Sequence, residues 1–384
     1  MKIIADENIP FVRELFGPLG RMVCLPGRAI RPHHLADAEI LLVRSVTPVG
    51  PQLLDGTTVR FVGAATTGAD HLDLPYLHRR GIAFADAAGA NADSVVEYVL
   101  TALLVLARRH DWDLSRHTLG IVGVGRIGSR LERLAPVLGL SLLLNDPPRR
   151  RQTGDSRFAP LEEVLAADII TLHVPLTRTG PDATWHLLDR RRLAALPPTA
   201  VLINTSRGPV IDNRALREVL RTGQPRPVVL DVWEDEPRLD PDLLARVALA
   251  TPHVAGYSLE GKFNGAVMIY HALCRFLNVP PAPDVQTLLH LPPPPPLDLD
   301  ARGRSDQHAL TQALTALYDV EADDRRLRRL LDLPPADQPA YFDQLRRDYP
   351  VRREAPALAV RLAHPPQAHS ALADKLRQLR FRVL

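Results

Sequence analysis

The sequence predicts an α/β protein built on two doubly wound parallel sheets and followed by a smaller α/β domain. Three observations carry that prediction. Short apolar runs alternate with helical patterns from the first residue onward, the mark of a helix-covered parallel sheet. A glycine cluster, Gly123-x-Gly125-x-x-Gly128, stands between one such run and a helix; bare backbone there lets a dinucleotide pyrophosphate approach a helix N-terminus. The length of 384 residues exceeds what one core usually supports, so two or three domains are expected.

In the first part, "KIIA", "RMVCL", "EILLVRS" and "VRFVGAAT" read as strands, with helices such as "FVRELFGPLG" and "DLPYLHRRG" between them. Residues 91–109 read as a long helix, apolar on nearly every side, which must be buried in its own chain or against a second subunit. It opens the nucleotide domain. There "TLGIVG" suits a buried parallel strand, and the helix after it carries Ile127, Leu131, Leu134 and Leu138 on one face. The next run, "LSLLLND", ends in Asp146, eighteen residues past Gly128, close to the roughly 20 expected for the acid that bonds the adenosine ribose hydroxyls. That carboxylate would repel a ribose 2′-phosphate and so favours NAD over NADP. Arg149, Arg150 and Arg151 read as a solvated basic loop. "DIITLHVP", "AVLINTS" and "PVVLDVW" continue the sheet as far as "VALATPHVAG", and a helix over "SLEGKFNGAVMIYHALCRFLN" returns toward the first domain. Five prolines at 292–296 predict a polyproline spacer across 280–299. Patterns such as "QHALTQALTALYDV", "ALAVRLA" and "FRVL" then predict a small α/β domain from residue 300 to 384.

A net charge of +3, without a clustered basic face or a nucleic-acid motif, argues against nucleic acid as a partner. Cys24 and Cys274 have no metal-ligand or redox spacing, so no metal is expected and a reducing cytoplasm is the natural location. "MKIIADENIP" reads as a strand and turn, unlike a signal peptide, and no run of about 18 apolar residues is present to span a bilayer.

Three segments each place a functional group just after a predicted strand: Arg207 in "INTSRGPVID", Glu236 in "LDVWEDEP" and His253 in "TPHVAGYS". Taken singly, these are an ordinary ion-pair arginine, a helix-terminal acid and a loop histidine. Strand carboxyl ends face the cofactor crevice of such a sheet, so the three can converge. Together they meet a chemical need. Moving a hydride from a hydroxyl-bearing carbon to a nicotinamide requires a base for the hydroxyl proton, which an imidazole supplies. A carboxylate orients that imidazole, and an arginine fork grips a carboxylate beside the reacting carbon.

The motifs "GIVGVGRIGSR", "NTSRGPVID", "LDVWEDEP" and "TPHVAG" resemble the signatures of the D-isomer-specific 2-hydroxyacid dehydrogenases, over about residues 1–278. The resemblance implies a flavodoxin-like substrate-binding domain from 1–90 and 257–279, and a Rossmann NAD domain from 91–256. It implies that Arg207, Glu236 and His253 form the catalytic set. Beside the three glycines it implies cofactor contacts at Arg126, Ile127, Asp146, Val174, Thr205, Asp231 and Gly256. "LLVRSVTPV", "FVGAATTGADHLD", "VVEYVL" and above all "HVAGYSLEGK" are similar to a branch acting on a phosphorylated 2-hydroxy acid. That branch carries an extra C-terminal dimerisation domain, which implies a homodimer and assigns 300–384 to dimerisation. It also turns "RRDYPVRRE" at 346–354, otherwise a solvated charge run, into a subunit contact. Substrate contacts are implied at Ser45, Thr66 and Tyr257, and Arg44 and Lys262 are added as phosphate candidates. Two rival readings keep the same fold: a dehydrogenase for 3-phosphoglycerate, glycerate or D-lactate, and a non-catalytic NAD-sensing binding protein.

Overall fold

Runs of leucine, isoleucine and valine bounded by glycine, proline and aspartate become short strands covered on both faces, as parallel pairing requires. The computed structural model describes residues 1–222, 226–282, 284–289, 291–363 and 369–384. They fall into two units, Met1–Asn91 with Ser258–Pro292, and Ala92–Tyr257 with Pro293–Leu384.

The first unit holds β1 (Lys2–Asp6), β2 (Arg21–Leu25), β3 (Ile40–Val43), β4 (Phe61–Ala64) and β5 (Ala83–Asp86). All are parallel, in the order β2-β1-β3-β4-β5. β3 and β4 are buried throughout. β5 has no counterpart among the predicted strands. It is short, alanine-rich, only partly buried and at the sheet edge, so neither hydrophobicity nor alternation marks it. The Leu259–Leu277 helix lies close on β4, because a Cβ at Gly63 would stand 2.4 Å from Ile269 Cγ2. Ser258 caps that helix by accepting the Gly261 N–H at 2.8 Å, and Asn278 ends it in the left-handed region at φ 54°.

The second unit holds β6 (Thr118–Val122), β7 (Ser141–Asn145), β8 (Ile169–Leu172), β9 (Val201–Asn204), β10 (Val228–Leu230) and β11 (Leu249–Ala250), in the order β11-β10-β9-β8-β6-β7. The strand order switches direction between β6 and β8, the point at whose strand carboxyl ends open parallel sheets bind their ligands. The predicted long helix runs over Ala92–His110 and is buried along nearly its whole length. Its cover comes from its own chain: Leu310, Leu314, Val360 and Leu376 share one core with Val99, Leu103 and Leu106. That removes the need for a second subunit to bury it.

Three further parallel strands, β12 (Leu297–Leu299), β13 (Ala359–Leu362) and β14 (Arg382–Val383), form a sheet in that same unit. β12 begins directly after the last proline, at the first residue that again offers an amide donor, so the end of the 280–299 stretch is sheet. Near its start Val285 is buried in the core of the first unit. The stretch is therefore a spacer only in part.

Candidate active site

The glycine turn after β6 uses each glycine differently. Gly123 sits at φ 89°, and a Cβ on it would stand 2.7 Å from the His173 carbonyl oxygen. A Cβ on Gly128 would stand 2.1 Å from the Gly123 carbonyl oxygen, so the helix closes directly on the strand. Gly125 is exposed with nothing near its Cβ direction, which leaves bare backbone for a pyrophosphate. Arg126 beside it is exposed and Ile127 half-buried. These residues fit a dinucleotide.

Asp146 follows β7. Its Oδ2 accepts the Val124 N–H at 2.9 Å, tying the acid to the glycine turn, and its Oδ1 accepts the Arg149 N–H at 3.0 Å. The arginines after it correct the expectation of a solvated loop in part, since the stretch is helical and Arg149 is half-buried while Arg150 and Arg151 are exposed. They lie on the Pro147–Thr153 helix, and Arg149 folds back to donate to the Val124 carbonyl at 2.5 Å with its guanidinium over the Phe158 ring. Arg151 pairs with Asp182. Val174 follows β8 against Gly123. The Thr205 hydroxyl lies 3.5 Å from Nδ1 of His173, a ring whose burial depresses its pKa to about 3 and keeps it neutral.

The loop after β11 carries the histidine. Asp231, directly after β10, is buried and accepts from Thr251 Oγ1 at 2.6 Å, Val254 N–H at 2.7 Å and Ala255 N–H at 3.0 Å. Its carbonyl accepts the His253 N–H at 2.7 Å. Asp231, expected as a cofactor contact, thus also shapes the His253 loop, and nothing in the sequence pattern marks that second role. His253 itself stands at φ 60°. Its Nδ1 lies 2.8 Å from Glu236 Oε2, while Glu236 Oε1 accepts the Trp233 N–H at 2.8 Å. Burial pushes the Glu236 carboxyl up, but the His253 charge and hydrogen bond, with Arg346 nearby, outweigh it and hold the group below the usual carboxylate value. The other acid of "LDVWEDEP" goes elsewhere: Glu234 accepts from Asn213 N–H at 3.1 Å and lies 2.8 Å from His186 Nε2.

Arg207 follows β9. A Cβ on the next residue, Gly208, would stand 2.0 Å from the Trp233 carbonyl carbon, so only glycine lets this segment run against the one that carries Glu236. Gly256 and Tyr257 close the histidine loop, and Arg346 donates to the Tyr257 hydroxyl at 3.0 Å.

In the first unit, Arg44 and Ser45 follow β3 and Thr66 follows β4. Arg44 Nε donates to the fully buried Asp6 at 3.0 Å, Ser45 is exposed, and Thr66 Oγ1 donates to the Gly68 carbonyl at 3.1 Å. Lys262 lies in the first turn of the Leu259–Leu277 helix.

The segment 346–354 departs in part from a solvated charge run, since Arg347, Asp348 and Val351 are exposed but other side chains are not. Arg352 is buried, donating to the Ala255 carbonyl at 3.0 Å and the Ser94 carbonyl at 2.8 Å, and Glu354 is buried as well.

Residues 105–255 match the model of the D-isomer specific 2-hydroxyacid dehydrogenase, NAD binding domain, and residues 290–379 that of a domain of unknown function, DUF3410. The chain is 46% identical over its whole length to an erythronate-4-phosphate dehydrogenase of Marinobacter nauticus, all of which it covers. It is 48% identical, over 94% of each chain, to the protein of that name from Edwardsiella ictaluri. An NAD-dependent formate dehydrogenase of Staphylococcus aureus, solved with NAD, is similar at TM-score 0.60 and 26% identity, covering 74% of this chain and 98% of that one. A 3-phosphoglycerate dehydrogenase of Entamoeba histolytica shares the fold at TM-score 0.63 and 22% identity, covering 72% of this chain and 95% of that one.

Proposed function

The chain belongs to the erythronate-4-phosphate dehydrogenases, within the D-isomer specific 2-hydroxyacid dehydrogenases, and on that premise we propose that it oxidises 4-phospho-D-erythronate at C2. The product is (R)-3-hydroxy-2-oxo-4-phosphooxybutanoate, an intermediate on the route to pyridoxal 5′-phosphate. The observation that carries the reading is the 2.8 Å contact between His253 Nδ1 and Glu236. With Nδ1–H donated to the carboxylate, Nε2 keeps its lone pair for the C2 hydroxyl proton, and the imidazolium that forms is stabilised by the ionised acid. Arg207 grips the C1 carboxylate and so orients C2. NAD, held at the turn of Gly123, Gly125 and Gly128 with Asp146 on its ribose, supplies the hydride acceptor.

For the C4 phosphate, the reading takes Arg44, Ser45, Thr66, Tyr257 and Lys262 as donors. A homodimer belongs to the reading too, on the resemblance of the C-terminal part, as does a cytoplasmic location, supported by the free thiols of Cys24 and Cys274. Among the described residues no helix is long and apolar enough to cross a membrane.

The test is NAD reduction with 4-phosphoerythronate and with erythronate. Charge-assisted hydrogen bonds contribute roughly 1.5–3 kcal/mol each, so losing two should lower kcat/KM about 10²–10⁴-fold. Comparable values for the two compounds would reject the phosphate assignment. Absence of turnover with any 2-hydroxy acid would favour the non-catalytic reading.

A further inference from the structure

The loop that carries His253 is held from two sides. Asp231, directly after β10, accepts the N–H groups of Val254 and Ala255, as described. The second hold comes from the C-terminal part of the chain, the segment whose family model is a domain of unknown function. Arg346, in the last turn of the Gln338–Arg347 helix, lays its guanidinium 5.7 Å from the Tyr257 ring centroid and 5.9 Å from that of Phe342. One of its N–H groups donates to the Tyr257 hydroxyl at 3.0 Å. Tyr349 meets the same ring edge-on at 5.6 Å, its own hydroxyl donating to Asp323 at 2.7 Å. Arg352, 3.8 Å above the Tyr318 ring, holds the Ala255 carbonyl. Three side chains of one short segment therefore grip the two residues that flank Gly256.

Arg346 differs from the other two. Its Nε is buried and makes no hydrogen bond, so the cation is only partly neutralised by neutral oxygen partners. Its field reaches the Glu236 carboxylate. Burial alone would depress the guanidinium, yet Tyr257, Glu236 and Asp231 together raise it above its ordinary value. A buried charge kept without a direct carboxylate contact costs stability, which points to a gain at the site it faces.

We propose that Arg346 is a positioning residue of the catalytic site in its own chain, fixing the Tyr257 ring through its N–H and setting the charge balance of the Glu236–His253 pair. The assignment of a function to this part of the C-terminal segment rests on the hydride-transfer reading above. The charged and titratable groups facing the pair and its loop, among the described residues, include Tyr98, Asp231, Tyr257, Arg346, Tyr349 and Arg352. A cation among them disfavours a second cation on the imidazole, so its removal should make the pair take up a proton at higher pH.

Three full-length variants test this. Arg346→Met keeps the stem without the charge, Arg346→Gln keeps a donor for Tyr257 without the charge, and Arg346→Lys keeps the charge on a shorter head. In Met and Gln the acid limb of the kcat/KM profile should move up by about half a pH unit or more, and kcat/KM at pH 7 should fall about 3–10-fold. The Lys variant should keep the parent limb. Titration of the His253 imidazole by NMR, with NAD and without substrate, should show the same upward movement. That measurement does not depend on which hydroxy acid is turned over, so it separates failure of this inference from failure of the substrate assignment. Parent profiles and His253 midpoints in folded Met or Gln variants would overturn the proposal. So would a Lys variant whose limb moves as far as theirs, since that is what a purely structural arginine would give. If Arg346→Met does not fold, Arg346→Gln decides on the same readings.

Discussion

Asp6 and Asp231 are both buried carboxylates at the carboxyl ends of parallel strands, and they hold different things. Asp6, the last residue of β1, holds a side chain from another strand end: Oδ2 takes Arg44 Nε at 3.0 Å while Oδ1 accepts the N–H of nearby Asn8 at 2.9 Å, and Gly27 makes room, since a Cβ there would stand 2.3 Å from Oδ2. Asp231 holds a loop, through two backbone N–H groups, of Val254 and Ala255, and the Thr251 hydroxyl. The proposed functional group of the first unit, the partly exposed Arg44, thus hangs on one ion pair. In the second unit the proposed base rides on a loop whose path is fixed before the histidine side chain is considered. A base must meet its proton within a few tenths of an ångström, whereas an anion clamp works through a long flexible side chain.

The sharpest way to break that contrast is at the base. His253→Ala should lower kcat about 10²–10⁴-fold with NADH affinity, read by fluorescence titration, nearly unchanged. Near-parent turnover would remove the base from His253. Next comes the hold on the loop: Asp231→Ala orphans two buried N–H groups, each costing about 1–3 kcal/mol, so it should both lower Tm and reduce kcat. Full activity with a lowered Tm would show that the loop keeps its path without the carboxylate. A smaller effect is expected in the first unit. Asp6→Asn should raise KM for the phosphorylated substrate several-fold with kcat within about twofold, as loss of one charge-assisted bond implies. An unchanged KM would mean that Arg44 needs no such hold.

A third buried acid sharpens the comparison by having no such task. Glu97, on the long helix, accepts the Ala355 N–H at 2.8 Å and faces Arg352, Glu354 and Arg380. Burial pushes its carboxyl up from 4.5 to about 8 despite Arg352. The folded state therefore keeps a proton that the unfolded chain loses in that window, and stability should fall as pH rises through it. Glu97→Gln should flatten the decline of Tm between about pH 6 and 8, a slope that would stay as steep if the carboxyl were already ionised there.

Much of this was legible because its signals are local. A β-branched run, a glycine spacing and an acid eighteen residues on are read within one βαβ unit, and the strands of both large sheets except β5 appear where apolar runs predict them. The Glu236–His253 pair was legible for the same reason, each residue standing in a segment just after such a run. The rest depends on contacts between distant residues. Arg149 looked solvated because nothing local shows that Phe158 and the Val124 carbonyl await it. Asp231 stood only as a cofactor contact implied by the resemblance, since its loop partners lie twenty and more residues on. "RRDYPVRRE" looked like a charge run because burial of Arg346 and Arg352 is decided by carbonyls and rings about a hundred residues or more away.

The long Ala92–His110 helix shares its core with Leu310, Leu314, Val360 and Leu376, and this bears on how the chain is made. About two hundred residues separate the helix from the first of those partners. At about 5–20 residues per second, roughly 10–40 s of translation pass before the ribosome delivers them. For that interval a long helix, apolar on nearly every side, keeps one face uncovered by its eventual neighbours, a surface of the kind that holding chaperones bind. A polypeptide ended early by a stop codon would never cover it, so truncated copies are marked for removal by the same surface that the finished protein hides.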